Sequence, residues 1–396
     1  MKILYVVNNC YTKGNGLSGS ARRTVAGLNR AGLDVRVLSA ANPDPSGPQP
    51  DYILPDDKIP VFNKLIRKQG YSFAAIDDRI ITEAVRWADI VHLEEPFDLQ
   101  IRTVRIAERE GVPCTSTYHL HPENFYSSVH LQKSLWFNRM TLRVWRDTVF
   151  NHCEIIQCPT ESVRRRLEKW HFKPELRVIS NGMLPFDASN DDDLNRVSGK
   201  DSDPAKVYTV ISTGRYSVEK DQTTLLRAMR SSRYADRIQL IFAGQGPTEK
   251  KLKRMAEKLV SAGILKYPPI FGFYSLSELR ALYKQADLYI HCAFVEVEGL
   301  SCMEAIETGL VPIIAEGDLT ATSQYALSER SVFPARDDRA LAQRIDWWLS
   351  HDAERTSEAI KYIGLGREYD IGKSIAQLAQ MYEDVFLRAQ GNITAR

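Results

Sequence analysis

Short apolar runs alternate along the chain with segments whose apolar residues recur at helical spacing. Residues 2–8 have the length and composition of a buried strand, and residues 19–31 follow as a helix with Ala21, Val25 and Leu28 on one face. Further strands are predicted at residues 35–39, 89–93, 112–118, 155–158 and 177–180. Helical patterns separate most of these Val/Ile-rich strands. Such alternation is typical of a parallel sheet covered by helices.

The alternation stops between residues 183 and 206, where the chain is polar and rich in Ser, Asp and Asn, as an interdomain linker would be. It then resumes, and the last 50 or so residues are helical in pattern. Strands are predicted at residues 207–213, 238–243, 287–292 and 311–315, and helices near residues 220–230, 247–262, 276–286 and 301–309. We therefore predict an α/β protein with two doubly wound domains, residues 1–182 and 207–370, that face each other across a cleft.

Composition narrows the functional class. With 52 Lys and Arg against 50 Asp and Glu in 396 residues, the chain lacks the basic excess of a dedicated nucleic-acid binder. Its six cysteines show neither a C-x-x-C motif nor zinc-ligand spacing, which favours a reducing compartment. The first apolar run is too short for a signal peptide, and no run approaches the ~20 residues of a transmembrane helix. We expect a cytoplasmic protein, or one that lies on a membrane.

Residues 14–19 satisfy the pattern G-x-G-x-x-G between a predicted strand and a helix, which fits a dinucleotide-dependent oxidoreductase. Two details weigh against NAD. Five residues separate the strand from the motif, and the next strand ends at Ser39 without an acidic residue for a ribose hydroxyl. The backbone amides of Gly19 and Ser20 would still suit a phosphate at a helix N-terminus. NAD binding, a phosphate-binding turn and a plain connecting loop therefore remain alternatives.

Two cationic side chains follow the first predicted strand of the second half. Gly214-Arg215 comes directly after that strand, and Glu219-Lys220 lies at the start of the next helix. A guanidinium and an ammonium at the carboxyl edge of a sheet can hold a diphosphate. Solvated Arg and Lys side chains near a helix start are the alternative.

Two glutamates flank a third turn between a strand and a helix. Glu296 lies in the predicted loop and Glu304 in the first helical turn, and both can accept hydrogen bonds from the hydroxyls of a polyol. The free amides of residues 299–301 would face an anion. Ser301-x-x-Glu304 also fits a capping box, in which Glu304 would only bond back to the Ser301 amide.

The order of these pieces along the whole chain resembles the glycosyltransferase group 1 family, which includes sucrose synthases and bacterial α-mannosyltransferases. These are retaining, metal-independent enzymes of the GT-B fold. The motifs that carry the resemblance are Gly19-Ser20, His119, Asn181-Gly182, Gly214-Arg215, Glu219-Lys220 and Glu296-x7-Glu304. The final third, with EVEGLSCMEAIETGLVPIIA at residues 296–315, is most similar in pattern to bacterial lipid α-glucosyltransferases that act on diacylglycerol or cholesterol. Glu298 departs from the family, because many relatives carry an aromatic residue there.

The resemblance implies specific roles. Arg215 and Lys220 would hold the donor diphosphate, Glu296 the hydroxyls of the transferred sugar and Glu304 those of the ribose, while His119 would line the reacting centre. The implied catalytic residues are His119, Arg215, Lys220 and Glu296. The implied donor-binding residues are Gly19, Ser20, Gly214, Arg215, Lys220, Gly272, Phe273, Glu296, Gly299, Leu300, Ser301 and Glu304.

The GT-B fold implies that a C-terminal helix, residues 371–396, returns to the first domain. No metal or other cofactor is expected, because the two cations can stabilise the leaving diphosphate. His119 and His121 could share a strand face as metal ligands, but no third ligand is apparent. A buried histidine without a catalytic role is the other alternative for His119.

Two stretches combine basic residues with aromatic and aliphatic ones. Residues 133–150 read as a helix, and residues 61–73 interleave both kinds of side chain. Such faces would let a protein rest on an anionic bilayer. The charge of the first half agrees with this, because residues 1–180 carry 25 Lys and Arg against 20 Asp and Glu. A core-facing helix with a solvated basic edge is the alternative. The residues expected at this acceptor or membrane region are Lys64, Arg67, Lys68, Trp136, Arg139, Arg143 and Arg146, and the loops at residues 42–60 and 119–132 are expected to admit the acceptor.

The sequence thus predicts a retaining α-glycosyltransferase, peripheral on the inner face of the cell membrane, that transfers glucose from UDP-glucose to a lipid hydroxyl such as that of diacylglycerol or a sterol. A cell-wall, capsule or polyprenyl-linked sugar acceptor is the nearest alternative. An NAD-dependent oxidoreductase and a non-catalytic nucleotide-sugar-binding protein are the alternatives from other classes.

Overall fold

The computed structural model describes residues 1–11, 16–55, 73–127, 134–184 and 206–394. The described residues form two compact units. Unit 1 consists of the described parts of residues 1–126 and 131–182 together with the last helix, which begins at Ile371. Unit 2 is built from Ser127 and the described parts of residues 183–370.

Unit 1 contains a seven-stranded parallel sheet in the order β3-β2-β1-β4-β5-β6-β7. Its strands are β1 Lys2–Val6, β2 Asp34–Ala40, β3 Tyr52–Leu54, β4 Ile90–Leu93, β5 Cys114–Thr117, β6 Ile155–Cys158 and β7 Glu175–Val178. Its helices are α1 Gly16–Arg30, α2 Asp78–Trp87, α3 Asp98–Glu110, α4 Pro122–Ser127, α5 Leu135–Thr148 and α6 Glu161–Lys169, with a 3-10 turn at Phe150–His152.

Alternate residues of β1 enter two separate cores. Leu4 and Val6 pack on one face of the sheet with apolar residues of α2 and α3. Ile3 and Tyr5 point to the other face, where α1 meets the last helix of the chain. Because both faces are covered, the strand is apolar at nearly every position rather than alternating.

Unit 2 repeats this architecture with a six-stranded parallel sheet in the order β10-β9-β8-β11-β12-β13. Its strands are β8 Tyr208–Thr213, β9 Ile238–Ala243, β10 Ile270–Gly272, β11 Leu288–His291, β12 Pro312–Glu316 and β13 Val332–Pro334. Its helices are α7 Gln222–Ala228, α8 Glu249–Ser261, α9 Leu276–Gln285, α10 Leu300–Glu307, α11 Asp338–Ser350 and α12 Asp352–Glu368, with 3-10 turns at Ala235–Arg237, Ala321–Tyr325 and Glu329–Ser331.

The last helix, α13 Ile371–Thr394, belongs to unit 1. Its buried face contributes Ile375, Met381 and Tyr382 to the core that also contains Tyr5. The helix lies so close to α1 that a Cβ at Gly27 would stand 2.6 Å from the side chain of Ile375, so any larger residue at position 27 would require Ile375 to shift.

The predicted α/β class and parallel sheets are confirmed, but several boundaries were wrong. Helix α1 begins at Gly16, three residues earlier than predicted. Part of the expected loop at residues 119–132 is helix α4, and the expected loop at residues 42–60 contains strand β3. The predicted linker falls mostly outside the described residues. Within the described part of the chain, no helix combines the length and apolarity needed to cross a bilayer.

Candidate active site

The loop after β8 carries two of the predicted cations. Gly214 adopts a left-handed φ of 130°, which turns the chain away from the strand. The Arg215 carbonyl accepts a hydrogen bond from Gln222 Nε2 at 2.9 Å, which ties this loop to α7. The Arg215 guanidinium forms no ion pair with another described residue, whereas Lys220 forms an ion pair with Glu296.

Glu296 lies in the loop after β11, the neighbour of β8 in the sheet. Its backbone is held on both sides, since its amide donates to the Leu319 carbonyl at 2.7 Å and its carbonyl accepts from Ala321 at 3.0 Å. Its carboxylate contacts Lys220 and also His291, whose Nε2 lies 3.3 Å away. Burial raises the pKa of Glu296, but Lys220 and His291 more than offset that, so the pKa falls to about 2. The carboxylate is therefore charged at neutral pH.

Helix α10 begins beside this pair. Gly299 caps the helix with a left-handed φ of 92°, and a Cβ there would stand 2.5 Å from Thr322 Oγ1. The capping-box alternative is wrong, because the cap lies at Gly299 and the Ser301 hydroxyl contacts the Tyr289 hydroxyl at 3.0 Å instead. Leu300 and Ser301 are the first two helical residues, so their amides lie in the first turn, which suits an anion. Glu304 follows as the fifth helical residue.

The predicted pair Gly272-Phe273 lies at the end of β10. The Gly272 carbonyl accepts a hydrogen bond from the Gly244 amide at 2.7 Å, and Gly244 in turn packs against the backbone of Gly214. These contacts join the ends of β8, β9 and β10 at one edge of the sheet. Phe273 is 61% exposed there.

His291 was not predicted from the sequence. It ends β11, is buried, and contacts Glu296 with Nε2 and the Tyr289 hydroxyl with Nδ1 at 3.2 Å. Burial lowers its pKa, and nearby Lys220 lowers it further against the opposing effect of Glu296. The only signal in the sequence is a polar residue at the end of an otherwise apolar strand.

In unit 1, the predicted residue His119 contacts a carboxylate that the sequence did not single out. His119 Nε2 lies 2.7 Å from Oε2 of Glu94, and the Glu94 side chain is 1% exposed. Glu94 Oε1 accepts a hydrogen bond from the Tyr5 hydroxyl at 2.5 Å and lies 3.2 Å from His92 Nε2. Burial raises the pKa of Glu94, but His119 and His92 outweigh it and hold that pKa well below its usual range.

A second polar cluster lies beside this one, where the strand order reverses between β1 and β4. Glu95 accepts hydrogen bonds from the backbone and side-chain amides of Asn8, at 2.7 and 2.8 Å. The predicted phosphate-binding residues Gly19 and Ser20 lie in α1, but as its fourth and fifth residues. Their amides are therefore at the end of the first helical turn rather than at its start.

The predicted acceptor region is described only in part. Lys64, Arg67 and Lys68 lie outside the described residues. In α5, Arg139 and Arg143 are exposed, while Arg146 donates to the Trp170 carbonyl at 2.8 Å and contacts Asp147. Arg146 thus differs from the other two predicted arginines of α5, because its guanidinium is held by neighbouring residues of unit 1.

The exposed side of α5 also carries apolar side chains, which lie beside Arg139 and Arg143. Trp136 is 65%, Met140 40% and Val144 47% exposed, and their spacing of four residues aligns them on one side of the helix. Leu142 and Trp145 point to the interior. One side of α5 therefore faces the core and carries a basic edge, as the alternative describes, and the exposed side carries an apolar row as well.

Two family models match the chain. Residues 14–183 match the model described as Glycosyltransferase Family 4, and residues 195–364 match the model described as Glycosyl transferases group 1.

Individual relatives are similar over different lengths. The alpha-monoglucosyldiacylglycerol synthase of Streptococcus pneumoniae is 23% identical over 323 residues, which cover 80% of this chain and 71% of that protein. The catalytic domain of cholesterol-alpha-glucosyltransferase from Helicobacter pylori is 40% identical, with 41% of this chain and 98% of that domain covered and a TM-score of 0.39. HepE of Anabaena, solved in complex with UDP-glucose, is 14% identical with a TM-score of 0.73, and the match covers 97% of this chain and 100% of that one.

Proposed function

Because the chain belongs to the glycosyl transferases group 1 family and has the GT-B fold, we propose that it is a retaining α-glycosyltransferase that glucosylates a membrane lipid from UDP-glucose. The predicted family, fold and transferase activity are confirmed by these matches. The NAD-dependent oxidoreductase is wrong for a member of this family. The donor, the stereochemistry and the acceptor belong to the proposal.

The observation that carries the proposal is the convergence of Lys220, Glu296 and the start of α10 at the carboxyl edge of the second sheet. In open parallel sheets ligands bind at this edge, where the strand order reverses, which here is between β8 and β11. A nucleotide sugar presents a diphosphate beside a polyol. An ammonium, a guanidinium and helix-terminal amides suit the diphosphate, and a charged carboxylate suits sugar hydroxyls.

The chemistry needs charge stabilisation more than acid–base catalysis. The bond between the anomeric carbon and the β-phosphate oxygen breaks, and negative charge develops on the departing diphosphate. Arg215 and Lys220 would balance that charge, aided by the amides of Leu300 and Ser301. The acceptor hydroxyl would attack from the face the phosphate leaves and pass its proton to a phosphate oxygen, which retains the anomeric configuration. In this proposal no divalent ion takes part.

Support for a lipid acceptor comes from the S. pneumoniae relative, whose name specifies glucosylated diacylglycerol, and from α5. An apolar row with Arg139 and Arg143 along one side fits the boundary between acyl chains and anionic headgroups. We therefore propose that α5 rests on the bilayer.

Activity is tested with vesicles that contain diacylglycerol and an anionic lipid. Purified protein and UDP-glucose should yield a glucosylated lipid, detected by mass spectrometry, with the α-anomer assigned by NMR and undiminished yield in EDTA. Parallel reactions use UDP-galactose, GDP-mannose and a polyprenyl-linked sugar. Equal turnover of a water-soluble acceptor without lipid, or strict dependence on a divalent ion, would contradict the proposal.

Membrane contact is tested separately by sedimentation with anionic vesicles. The double variant W136S/M140S should bind several-fold more weakly, and high salt should weaken the wild type. Leu387→Ser is the matched control, because Leu387 is 57% exposed on α13 and lies outside the α5 face. Unchanged binding of the double variant would exclude α5 as the contact.

A further inference from the structure

His291 connects the predicted sugar-binding carboxylate to the start of α10. One ring nitrogen, Nε2, lies 3.3 Å from Glu296, and the other, Nδ1, lies 3.2 Å from the Tyr289 hydroxyl. Tyr289 in turn contacts the Ser301 hydroxyl at 3.0 Å. Both His291 and Tyr289 are buried, so this chain of polar groups is shielded from water.

The direction of these hydrogen bonds follows from the chemistry of the groups. An ionised carboxylate only accepts, so Nε2 of His291 must carry its proton toward Glu296. In neutral imidazole Nδ1 is then the acceptor, and the Tyr289 hydroxyl donates to it. That leaves the Tyr289 oxygen to accept from Ser301. The Ser301 and Tyr289 hydroxyls and the His291 Nε2–H therefore all donate in the direction of Glu296.

Among the described residues, the cationic partner of Glu296 is Lys220. The proposed donor presents a diphosphate, which attracts the ammonium of Lys220 more strongly than a single carboxylate does. As Lys220 turns toward the phosphates, Glu296 keeps the imidazole as its fixed partner. The carboxylate can then meet the sugar hydroxyls without reorienting.

We propose that His291 is a positioning residue, which as the neutral Nε2–H tautomer holds Glu296 in the orientation that binds the transferred sugar. The inference rests on the proposed function and adds a residue to the same site. His291 acts through Glu296 and does not itself contact the reacting atoms.

Protonation of His291 would disrupt this arrangement. The added proton goes to Nδ1, where the Tyr289 hydroxyl now donates, so that hydrogen bond must reverse. The new charge also lies near Lys220. The titratable groups that face the ring are Glu296, Lys220 and Tyr289, while Thr322 Oγ1 is a neutral neighbour at 3.4 Å from Nε2. Since burial depresses the pKa of His291 below 6.5, the neutral form dominates at pH 7 and activity should fall only in more acid solution.

The test compares two substitutions of His291. Glutamine can place an amide N–H where Nε2 stands and cannot titrate, so His291→Gln should keep kcat and donor KM within about fivefold and lose the acid limb of the pH profile. Phenylalanine fills the space without a donor, so His291→Phe should raise the donor KM at least about tenfold with a smaller effect on kcat. Identical kinetics for both variants, or an unchanged acid limb in His291→Gln, would overturn the proposal.

A matched control is available in unit 1. His152 also contacts a carboxylate, Glu108 at 2.5 Å, but at the surface, so His152→Gln should leave the kinetics and the pH profile unchanged. Thermal unfolding of each variant separates loss of fold from loss of positioning.

Ring ¹⁵N shifts of His291 decide the inference independently of turnover. The neutral Nε2–H tautomer at pH 7 is the expected result, and the Nδ1–H tautomer or an imidazolium would overturn it. If wild type transferred no sugar from any nucleotide donor, the proposed function would fail, while these shifts would still test the state of His291.

Discussion

Two carboxylates, Glu94 in unit 1 and Glu296 in unit 2, follow equivalent strands of the two sheets. Glu94 follows β4, which lies beside β1, and Glu296 follows β11, which lies beside β8. In both sheets this is the point where the strand order reverses. Each carboxylate also contacts a histidine, His119 or His291. The repeated topology therefore produces a similar acid–imidazole pair twice.

The two carboxylates differ in their remaining partners and in their access to water. The Glu94 side chain is 1% exposed and its other partners are His92 and Tyr5, whereas the Glu296 side chain is 15% exposed and its other partner is Lys220. A network sealed from solvent, such as that of Glu94, cannot exchange partners with a solute. The long Lys220 side chain, which lies at a partly exposed edge of the sheet, can exchange Glu296 for a bound ligand. We infer that Glu94 fixes structure around His119, while Glu296 and Lys220 are arranged to meet a ligand.

The largest effect should come from removing the exchangeable cation. Lys220→Met keeps the aliphatic stem and deletes the ammonium, so kcat/KM for the nucleotide sugar should fall on the order of 100- to 1000-fold, as when one preorganised donor to a developing charge is lost. The free energy of unfolding should fall as well, because the Glu296 carboxylate, which is only 15% exposed, loses its cationic partner, so thermal unfolding must show that the variant used for kinetics is folded. Lys253→Met, which breaks an exposed pair with Glu249, is the control and should stay within twofold. If kcat/KM of Lys220→Met fell by less than tenfold, a group other than Lys220 would stabilise the charge of the departing diphosphate.

Lys220 and Glu296 could be identified from sequence because each lies in a short loop between a clear strand and a clear helix. Glu94 and His291 could not. The contact of Glu94 with His119 depends on the pairing of β4 with β5, in which Leu93 lies opposite Ser116. A linear pattern gives no sign of that pairing.

The strands that the sequence missed share one property. Tyr52–Leu54, Ile270–Gly272 and Val332–Pro334 are each three residues long and lie at sheet edges. Three residues are too few for a periodic signal, and edge strands carry less apolar content because they are covered less completely. The central strands were predicted to within two residues at each end because burial on both faces makes them continuously apolar.

The second prediction concerns stability, and here the larger effect is expected at Glu94 in unit 1 rather than at Glu296 in unit 2. Glu94→Gln removes a charge that two histidines and Tyr5 surround, so the free energy of unfolding should fall by about 2–3 kcal/mol. Glu296→Gln should cost less, because the Glu296 side chain is 15% exposed and water can reach its site. Urea denaturation at pH 7.5 measures both. Equal losses would mean that the two carboxylates are equally sealed.

The third prediction uses pH. In the unfolded chain Glu296 takes up a proton near pH 4.5, but in the folded protein its pKa is about 2, so the stabilisation is present above pH 4.5 and is lost as pH falls toward 2. Between pH 5 and pH 3.5 wild type should lose about 1 kcal/mol more unfolding free energy than Glu296→Gln, which lacks this group. Glu94 contributes equally to both proteins and cancels. Parallel curves for the two proteins would show that Lys220 does not hold the carboxylate charged.

The last prediction compares two tyrosines that lie near Glu94. The Tyr5 hydroxyl donates to Glu94, whereas the Tyr382 hydroxyl is buried without a hydrogen-bond partner among the described residues. Tyr5→Phe should therefore destabilise by about 1–2 kcal/mol, and Tyr382→Phe should be neutral or stabilise by up to about 1 kcal/mol, since it removes an unpaired buried polar group. Urea denaturation of the two variants provides the comparison. Because both rings pack in the same core and each change deletes a single oxygen, equal losses would show that the effect follows from packing alone and that Tyr5 does not stabilise the charge of Glu94.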